Sequence, residues 1–357
     1  MNRRTFLEIG LSSAGVAALS SARSAGQTLE ARHPLWPLWE TWQERHLDYA
    51  GRVVDATQRG ASHSEGQGCG MLLAAEFGDR DAFRRMFDWT EANLAIRADK
   101  LLAWRWLSDV PERVPDLNNA SDGDLFYAWA LVRAAERFGE TRLRDRAAGL
   151  AADLARKCAV ARPDRPGRPI LLPAEYGFVE GDTIVVNPSY IMPRALREVA
   201  AATGQPVLAQ VADEGLSLMR DIAASRLVPD WLRIGPEGLS PARGFSSDAG
   251  YEAIRVPLFL AWSGEASHPA LRRAAAAFGQ APRGYAATIV DAETGQVLSL
   301  SGDAGYRAVA ALATCVAQDR HGAAIPPFRS SDPYYPATLH MFALLTQFLH
   351  YPRCVPI

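Results

Sequence analysis

Apolar residues recur at helical spacing along most of the chain. The pattern predicts about a dozen helices, many of them after Ser, Asp, Asn or Pro residues that favour helix starts. The segments with this spacing are residues 38–49, 66–77, 81–96, 122–138, 141–159, 188–203, 207–224, 250–262, 269–278, 304–317 and 338–349.

Short strand-like pieces interrupt these helices. Residues 183–186 are apolar and β-branched, and residues 288–300 consist of two alternating halves around a central Thr294-Gly295 turn. Both look like hairpins that decorate loops. The Pro- and Arg-rich residues 161–169 are interpreted as a surface loop. Because strands and helices do not alternate, the pattern favours paired helices closed into a ring, an all-α α/α barrel, over a βαβ fold.

Composition indicates a folded globular protein. The 357 residues are 48% hydrophobic and 22% charged, which supplies ample core material and excludes disorder for most of the chain. The formal net charge is -2 and the signs are interspersed, so no basic stripe exists to neutralise phosphates. Nucleic acid is therefore a poor candidate partner, and a neutral substrate fits better.

The first residues read as a targeting segment. Arg3 and Arg4 precede a mildly apolar stretch over residues 9–19, and small residues follow around Ala22. This resembles a twin-arginine signal. We predict that residues 1–25 are a signal peptide, that residues 26–357 form one domain, and that the protein is periplasmic or secreted. No later apolar run reaches membrane-spanning length, so no span is expected in the mature protein.

The four cysteines, Cys69, Cys158, Cys315 and Cys354, are widely spaced and form no C-x-x-C unit. This argues against a zinc or iron–sulfur site. One disulfide is conceivable. Buried or tolerated thiols are favoured, because the twin-arginine route exports proteins that have folded in a reducing cytoplasm.

Acidic residues lie at three predicted helix starts, and each also has an ordinary structural explanation. Glu65 lies among glycines, which allow close approach of a ligand, but a Glu at this position is usually a helix cap. At the second helix, Ser121 or Asp122 can cap. Glu252 and Arg255 have the i,i+3 spacing of a surface ion pair. For Glu65 to act as a general acid, burial or a nearby carboxylate must raise its pKa.

Taken together, these clusters resemble glycoside hydrolase family 8, especially the short endoglucanases encoded with bacterial cellulose synthases. Residues 64–68 (SEGQG) match the family's catalytic-acid motif, and residues 120–124 (ASDGD) match its A-[ST]-D-[AG]-D signature. Tyr127 departs from the aliphatic residue usual in that signature. Residues 187–190 (NPSY) and the Tyr334-Tyr335 pair also look like family segments. The resemblance spans nearly the whole predicted mature chain.

The resemblance implies an (α/α)6 barrel with short β-hairpins in its loops, and it assigns roles to three acids. Glu65 would protonate the glycosidic oxygen, and Asp122 would hold and distort the sugar beside the scissile bond. The family's base is an Asp in a Tyr-Asp-Ala-x-Arg segment, and this chain has Glu252 there. Asp248, four residues earlier, is the alternative base.

The exchange of Asp for Glu bears on catalysis. Inversion requires two carboxyl groups roughly 6.5 to 9.5 Å apart, which leaves room for the attacking water. An extra methylene moves the carboxylate by about a bond length, and a displacement of about 1 Å can lower the rate on the order of a hundredfold. We therefore expect turnover to be attenuated.

Aromatic faces stack on sugar rings, and polar neighbours bond the hydroxyls. Trp104 and Trp106, in the sequence Ala-Trp-Arg-Trp, are the best-placed candidates. The resemblance adds further sugar-binding candidates: Tyr190, Tyr251, Arg255, Asn187 and Tyr334. The remaining tryptophans considered lie at helical spacing and are interpreted as packing residues: Trp36, Trp39, Trp42, Trp89, Trp129 and Trp262.

The leading hypothesis is an inverting endo-β-1,4-glucanase (a cellulase) that acts on amorphous or nascent cellulose, without a metal or organic cofactor, alongside the cellulose synthase machinery. Xylan, mixed-linkage glucan or chitosan are alternative substrates. A second alternative is a glucan-binding or chain-guiding protein with little catalysis, because of Glu252. A third is another α/α-barrel chemistry, such as isomerisation or elimination, with His63 or His340 as base.

Overall fold

The computed structural model describes residues 34–356, and eleven α-helices dominate this part of the chain. The all-α prediction is confirmed. The helices are α1 (Trp36–His46), α2 (Ser64–Phe77), α3 (Arg80–Asn93), α4 (Ser121–Phe138), α5 (Thr141–Cys158), α6 (Pro193–Thr203), α7 (Pro206–Ala223), α8 (Arg255–Trp262), α9 (Pro269–Phe278), α10 (Ala304–Gln318) and α11 (Tyr334–His350).

Six of these helices close into an inner ring. Contacts run from α2 to α4, α6, α8, α10 and α11 in turn, and α11 returns to α2. The other five helices, α1, α3, α5, α7 and α9, pack against this ring from outside. This is the predicted α/α barrel. Residues 319–333 join α10 to α11 without an intervening helix, so the described residues hold eleven helices where about a dozen were expected.

Glycines allow the first two inner helices to approach closely. Every residue of α2 except Glu65 is buried. A Cβ on Gly123 of α4 would lie 2.1 Å from the Ser64 hydroxyl and 2.6 Å from the Glu65 nitrogen. A Cβ on Gly68 would lie 2.6 Å from the Tyr127 nitrogen. The start of α2, which carries Glu65, is therefore pressed against the start of α4 by backbone contact.

The interpretation of the tryptophans as packing residues is confirmed in most cases. Trp39, Trp42, Trp129 and Trp262 are buried in the main core. Trp36 and Trp89 are partly buried against the same core.

Within residues 34–356, ten short strands lie in the loops between helices. They are β1 (Ser62–His63), β2 (Arg105–Trp106), β3 (Ala159–Arg162), β4 (Arg165–Leu171), β5 (Val179–Glu180), β6 (Thr183–Val186), β7 (Leu232–Gly235), β8 (Gly238–Ser240), β9 (Ala286–Val290) and β10 (Val297–Ser301). The hairpin predicted over residues 288–300 is confirmed as β9–β10. The strand predicted over residues 183–186 exists, but it belongs to a four-stranded antiparallel sheet ordered β5-β6-β7-β8.

The prediction of a surface loop over residues 161–169 is wrong, because β3 and β4 pair there as an antiparallel hairpin. Arg162 is only 1% exposed and forms ion pairs with Asp164 and with Glu214 of α7. These buried pairs hold the hairpin against the outer layer. Composition alone does not reveal them.

Three helices begin four or five residues from their predicted starts. A separate 3-10 turn, Pro188–Tyr190, precedes α6, because the Asn187 side chain accepts the Ser189 backbone amide. Helix α8 begins at Arg255, after a turn over residues 250–254. Helix α11 begins at Tyr334, four residues before the predicted start.

The prediction that the four cysteines are free thiols is wrong for two of them. Cys315 and Cys354 form a disulfide across a Cα–Cα distance of 6.1 Å, which is within the usual range. Cys69 and Cys158 are buried thiols. The pairing depends on the fold bringing the end of α10 to the C-terminal turn, 39 residues later.

The predicted signal peptide, residues 1–25, lies outside the described residues. None of the helices within residues 34–356 combines the length and hydropathy that crossing a membrane requires.

Candidate active site

A cavity of about 340 Å³ opens where helices α2, α8, α10 and α11 begin. Its lining is rich in acids and aromatic rings. The lining residues are Asp55, Thr57, Gln58, His63, Glu65, Tyr251, Glu252, Arg255, Asp303, Tyr306, Pro333, Tyr334, Tyr335 and Pro336.

Arg255 is the hub of this site, and it is only 3% exposed. One terminal nitrogen, Nη1, lies 3.3 Å from Glu65 Oε1 and 3.2 Å from Asp122 Oδ2. The other, Nη2, donates to Glu252 Oε2 and, at 2.8 Å, to the Ser189 hydroxyl. The fold thus brings the three predicted catalytic acids together on one guanidinium. Glu252 and Arg255 form the ion pair expected from their i,i+3 spacing. The pair is not on the surface, because Arg255 is buried.

Glu65 is the second residue of α2 and keeps about a quarter of its side chain exposed. Burial raises the pKa of its carboxyl to about 8, and the nearby Asp122 and Glu252 add to this effect although Arg255 opposes it. The carboxyl therefore holds its proton at neutral pH. A general acid at this position requires such a raised pKa.

Asp122 is buried at the second position of α4. Burial raises its pKa to about 6 against the opposing charge of Arg255. The capping role considered for Ser121 or Asp122 is wrong: Ala120 is the N-cap, without a side-chain cap. The Ser121 hydroxyl instead donates to the Leu172 carbonyl at 2.6 Å. Asp122 is thereby left to bond Arg255 at the centre of the site.

The second aspartate of the same motif has a structural role. Asp124 is fully buried, and it accepts the Leu102 amide at 2.8 Å and the Asn119 side-chain amide at 2.9 Å. These bonds fix the loop before β2 and the start of α4. The two aspartates therefore serve different ends, one facing Arg255 and one supporting the backbone.

Glu252 lies in the turn before α8, with a third of its side chain exposed. The Ser189 hydroxyl lies 3.4 Å from its Oε2 atom. The alternative base, Asp248, contacts Asp230 and Ser246 through its backbone. None of the bonds described for Asp248 reaches Glu65, Asp122 or Arg255. Of the two candidates, the structure brings Glu252 to the cluster.

Two of the predicted sugar-binding residues, Asn187 and Tyr190, contact Ser189 and Arg255. Asn187 is fully buried and accepts the Ser189 amide and hydroxyl at 3.0 and 2.7 Å. The Tyr190 ring lies 5.5 Å from the Arg255 guanidinium, a cation–π distance.

The tyrosines at the cavity differ in exposure. Tyr251 is 46% exposed, and its carbonyl accepts the Tyr335 hydroxyl at 2.6 Å. Tyr334 is 3% exposed, and its ring packs edge-on against Trp42 and His46. Tyr251 therefore offers a ring face to a ligand, whereas most of Tyr334 belongs to the core.

The Trp104 side chain lies beside the cavity rather than in its lining. Its indole donates to Asp116 at 2.8 Å, and its ring lies parallel to the His63 ring at 6.3 Å. Arg105 covers the Trp104 ring at 4.1 Å. Trp106 packs against Trp89. Neither tryptophan is part of the cavity lining, and sugar binding by either stays a prediction.

The two candidate histidine bases both have a lowered pKa. His63 lines the cavity, and burial lowers its pKa to about 4. His340 is fully buried in α11, and burial lowers its pKa to about 4 as well. Groups with so low a pKa are weak bases at neutral pH.

Sequence reasoning missed three functional side chains at this site. Ser189 bonds Arg255, although it stands inside the NPSY segment that drew attention to its neighbours. Asp55 is a buried acid that contributes to the raised pKa of Glu65. Asp230 contacts the turn that carries Glu252. Asp55 and Asp230 carry no motif signal, because only the fold brings them close.

Two carboxyl groups at an open cavity, one of them with a raised pKa, are the arrangement that two-carboxylate glycoside hydrolases use. The comparison with known families agrees. The model of glycosyl hydrolases family 8 matches residues 13–348, and the chain belongs to that family.

Curated relatives and solved structures point the same way. The chain is 34% identical over 311 residues to the "Probable endoglucanase" of Novacetimonas hansenii, covering 85% of this chain and 88% of that protein. It is 33% identical to an endoglucanase of Cellulomonas uda, covering 59% of each protein. The endo-β-1,4-glucanase CMCax of Acetobacter xylinum superposes with a TM-score of 0.78 at 32% identity, covering 87% of this chain and 97% of that one. Endoglucanase Cel10 of Klebsiella pneumoniae gives 0.79 at 29% identity, covering 88% and 99%. The (α/α)6 fold of these enzymes is therefore shared.

Proposed function

We propose that the protein is an inverting endo-β-1,4-glucanase that hydrolyses cellulose, with Glu65 as acid and Glu252 as base. The observation that carries the proposal is the cluster of Glu65, Asp122 and Glu252 around Arg255, beside an open cavity. It is supported by the endoglucanase names of the relatives.

In the proposed reaction, Glu65 donates its proton to the glycosidic oxygen as the bond to the anomeric carbon breaks. A water attacks that carbon from the opposite face and gives its proton to Glu252. The proton lost by one carboxyl is thus gained by the other. Asp122 and Arg255 hold the sugar at the reacting position. Arg255 donates to Glu252 and orients its carboxylate.

The biological setting is also part of the proposal. We propose that the substrate is an amorphous or nascent cellulose chain, and that the enzyme works beside the cellulose synthase machinery. The support is the resemblance to endoglucanases encoded with bacterial cellulose synthases. Export by the segment over residues 1–25, into the periplasm or beyond, belongs to the same proposal. It would place the mature domain where polymer leaves the cell.

The direct test is digestion of carboxymethyl cellulose with both viscosity and new reducing ends measured. An endo-acting enzyme lowers viscosity steeply while few ends appear. Xylan, mixed-linkage glucan and chitosan are digested in parallel. Faster cleavage of one of these three polysaccharides would identify it, instead of cellulose, as the substrate. Binding without any cleavage would favour the chain-guiding alternative.

A further inference from the structure

Asp230 occupies a buried position between α7 and β7, remote in sequence from every motif at the site. Its Oδ1 atom accepts two backbone amides, those of Gly250 and Ala253, both at 2.8 Å. Its own amide donates to the Asp248 carbonyl at 2.8 Å. Three bonds from one residue therefore fix the chain over residues 248–253.

Gly250 shows how close this contact is. A Cβ at that position would lie 2.6 Å from Asp230 Oδ2, which is closer than real side chains approach. Only glycine leaves space for the carboxylate against the backbone here. The close approach and the two amide bonds are independent signs that Asp230 and this turn are fitted to each other.

The carboxylate binds the turn before α8 and not the helix itself. The N-cap of α8 is Ile254, which has no side-chain cap bond. In the turn of residues 250–254 that leads into α8, Asp230 accepts two backbone amides, those of Gly250 and Ala253. Bonds between a carboxylate and backbone amides are charge-assisted and are the stronger kind.

Glu252 stands between the two amides that Asp230 binds. Its backbone position is therefore set by Asp230, whereas its carboxylate is oriented by Arg255. We infer that Asp230 is a positioning residue for the catalytic base, because its carboxylate fixes the turn from which Glu252 reaches the substrate. This inference rests on the proposed function of Glu252.

The test compares Asp230→Ala with Asp230→Asn on cellohexaose. Displacement of the base lowers kcat, so we expect Asp230→Ala to lose about tenfold or more in kcat with KM changed less than about threefold. Asp230→Asn keeps an oxygen that can accept both amides and should retain most of the activity. Unchanged kcat in Asp230→Ala, or equal losses in both variants, would overturn the inference.

A double-mutant cycle separates positioning from general support of the fold. When Glu252→Gln has removed the base, Asp230→Ala should lower the residual rate by less than about threefold. The same loss in both backgrounds would mean that Asp230 acts on the structure at large. Asp79→Ala is the matched control: Asp79 caps α3 through the Ala82 amide and should affect stability but not kcat.

A second variant and the unmodified protein are also assayed. If Asp230→Ala does not fold, Gly250→Ala disturbs the same contact from the other side and should lower kcat in the same way. The unmodified protein is assayed alongside. Its failure to cleave any glucan would refute the proposed function, whereas normal cleavage with an unaffected Asp230→Ala variant refutes only the positioning role.

Discussion

A single guanidinium balances three carboxyl groups at the site. Arg255 contacts Glu65, Asp122 and Glu252, so one positive charge faces up to three negative ones. Burial disfavours leaving all three ionised, and the raised pKa of Glu65 is the consequence. The proton that the reaction needs is thus held by the group best placed to donate it.

The pKa of Glu65 predicts the alkaline limb of the pH profile. The acid acts in its protonated form, and its pKa of about 8 means that the active fraction falls as pH rises through that value. We expect kcat/KM on cellohexaose to be nearly level below pH 8 on this limb and to fall about tenfold per pH unit above it. A profile that stays flat well above pH 8 would contradict Glu65 as acid.

The length of residue 252 gives a second prediction. We expect Glu252→Gln to lower kcat by about a hundredfold or more, because it removes the base. Glu252→Asp keeps a carboxylate and should remain at least about tenfold more active than Glu252→Gln. The assay is kcat on cellohexaose, with the exposed Glu44→Gln as control. Equal rates for the two Glu252 variants would show that no carboxylate is needed there.

At this scale the sequence predicted the acids that lie in motifs but not their supports. Glu65 and Asp122 belong to local patterns, and Glu252 was placed by alignment to a family segment. Asp55 and Asp230 lie in loops without any pattern, and they act through contacts between segments far apart in the chain. Such contacts are properties of the fold.

At the scale of elements, the contact between α2 and α4 positions the acid. Gly123→Ala would place a methyl against Ser64 and the Glu65 backbone, and we expect it to lower the free energy of unfolding by about 1–3 kcal/mol. Activity should fall as well, since Glu65 must move. Urea unfolding and kcat are the measurements.

Gly149→Ala in α5 is the matched control for this substitution. The nearest atom to its added Cβ is Lys100 Cγ at 3.4 Å, an ordinary contact. Alanine is the better helix former, so this change should stabilise by about 0.5–1 kcal/mol. Equal effects of the two substitutions would show that the close contact between α2 and α4 is unimportant.

Helical periodicity identified the elements well but misplaced several of their starts. Asp230 binds the turn that precedes α8, and Asn187 caps the turn that precedes α6. The β3–β4 hairpin was missed because Arg162 is charged and yet buried. In each case a polar contact decides the local structure, and an apolar pattern does not record it.

At the scale of the whole molecule, a disulfide closes the end of the barrel away from the site. Cys315 lies roughly 16 Å along α10 from the start of that helix at the cavity. We expect replacement of Cys315 and Cys354 by alanine to lower the free energy of unfolding by about 2–4 kcal/mol, with kcat unchanged. Thermal unfolding with and without reductant checks this. Insensitivity of the unmodified protein to reductant would contradict it.

The ring architecture followed from helix count and pairing, and its sixfold form from family resemblance. The disulfide could not be predicted in this way, because it depends on which chain ends meet in space. The helical pattern, in contrast, already shows no segment between residues 317 and 338, where α10 connects to α11 without an outer helix.

In the proposed reaction, Glu65 and Glu252 act as acid and base on opposite faces of the sugar. Proton NMR of cellohexaose hydrolysis, with Glu65→Gln and Glu252→Gln alongside, tests it most directly. We expect the α-anomer to be released first and both variants to lose this signal. Initial release of the β-anomer, or full activity in the Glu252→Gln variant, would contradict the account.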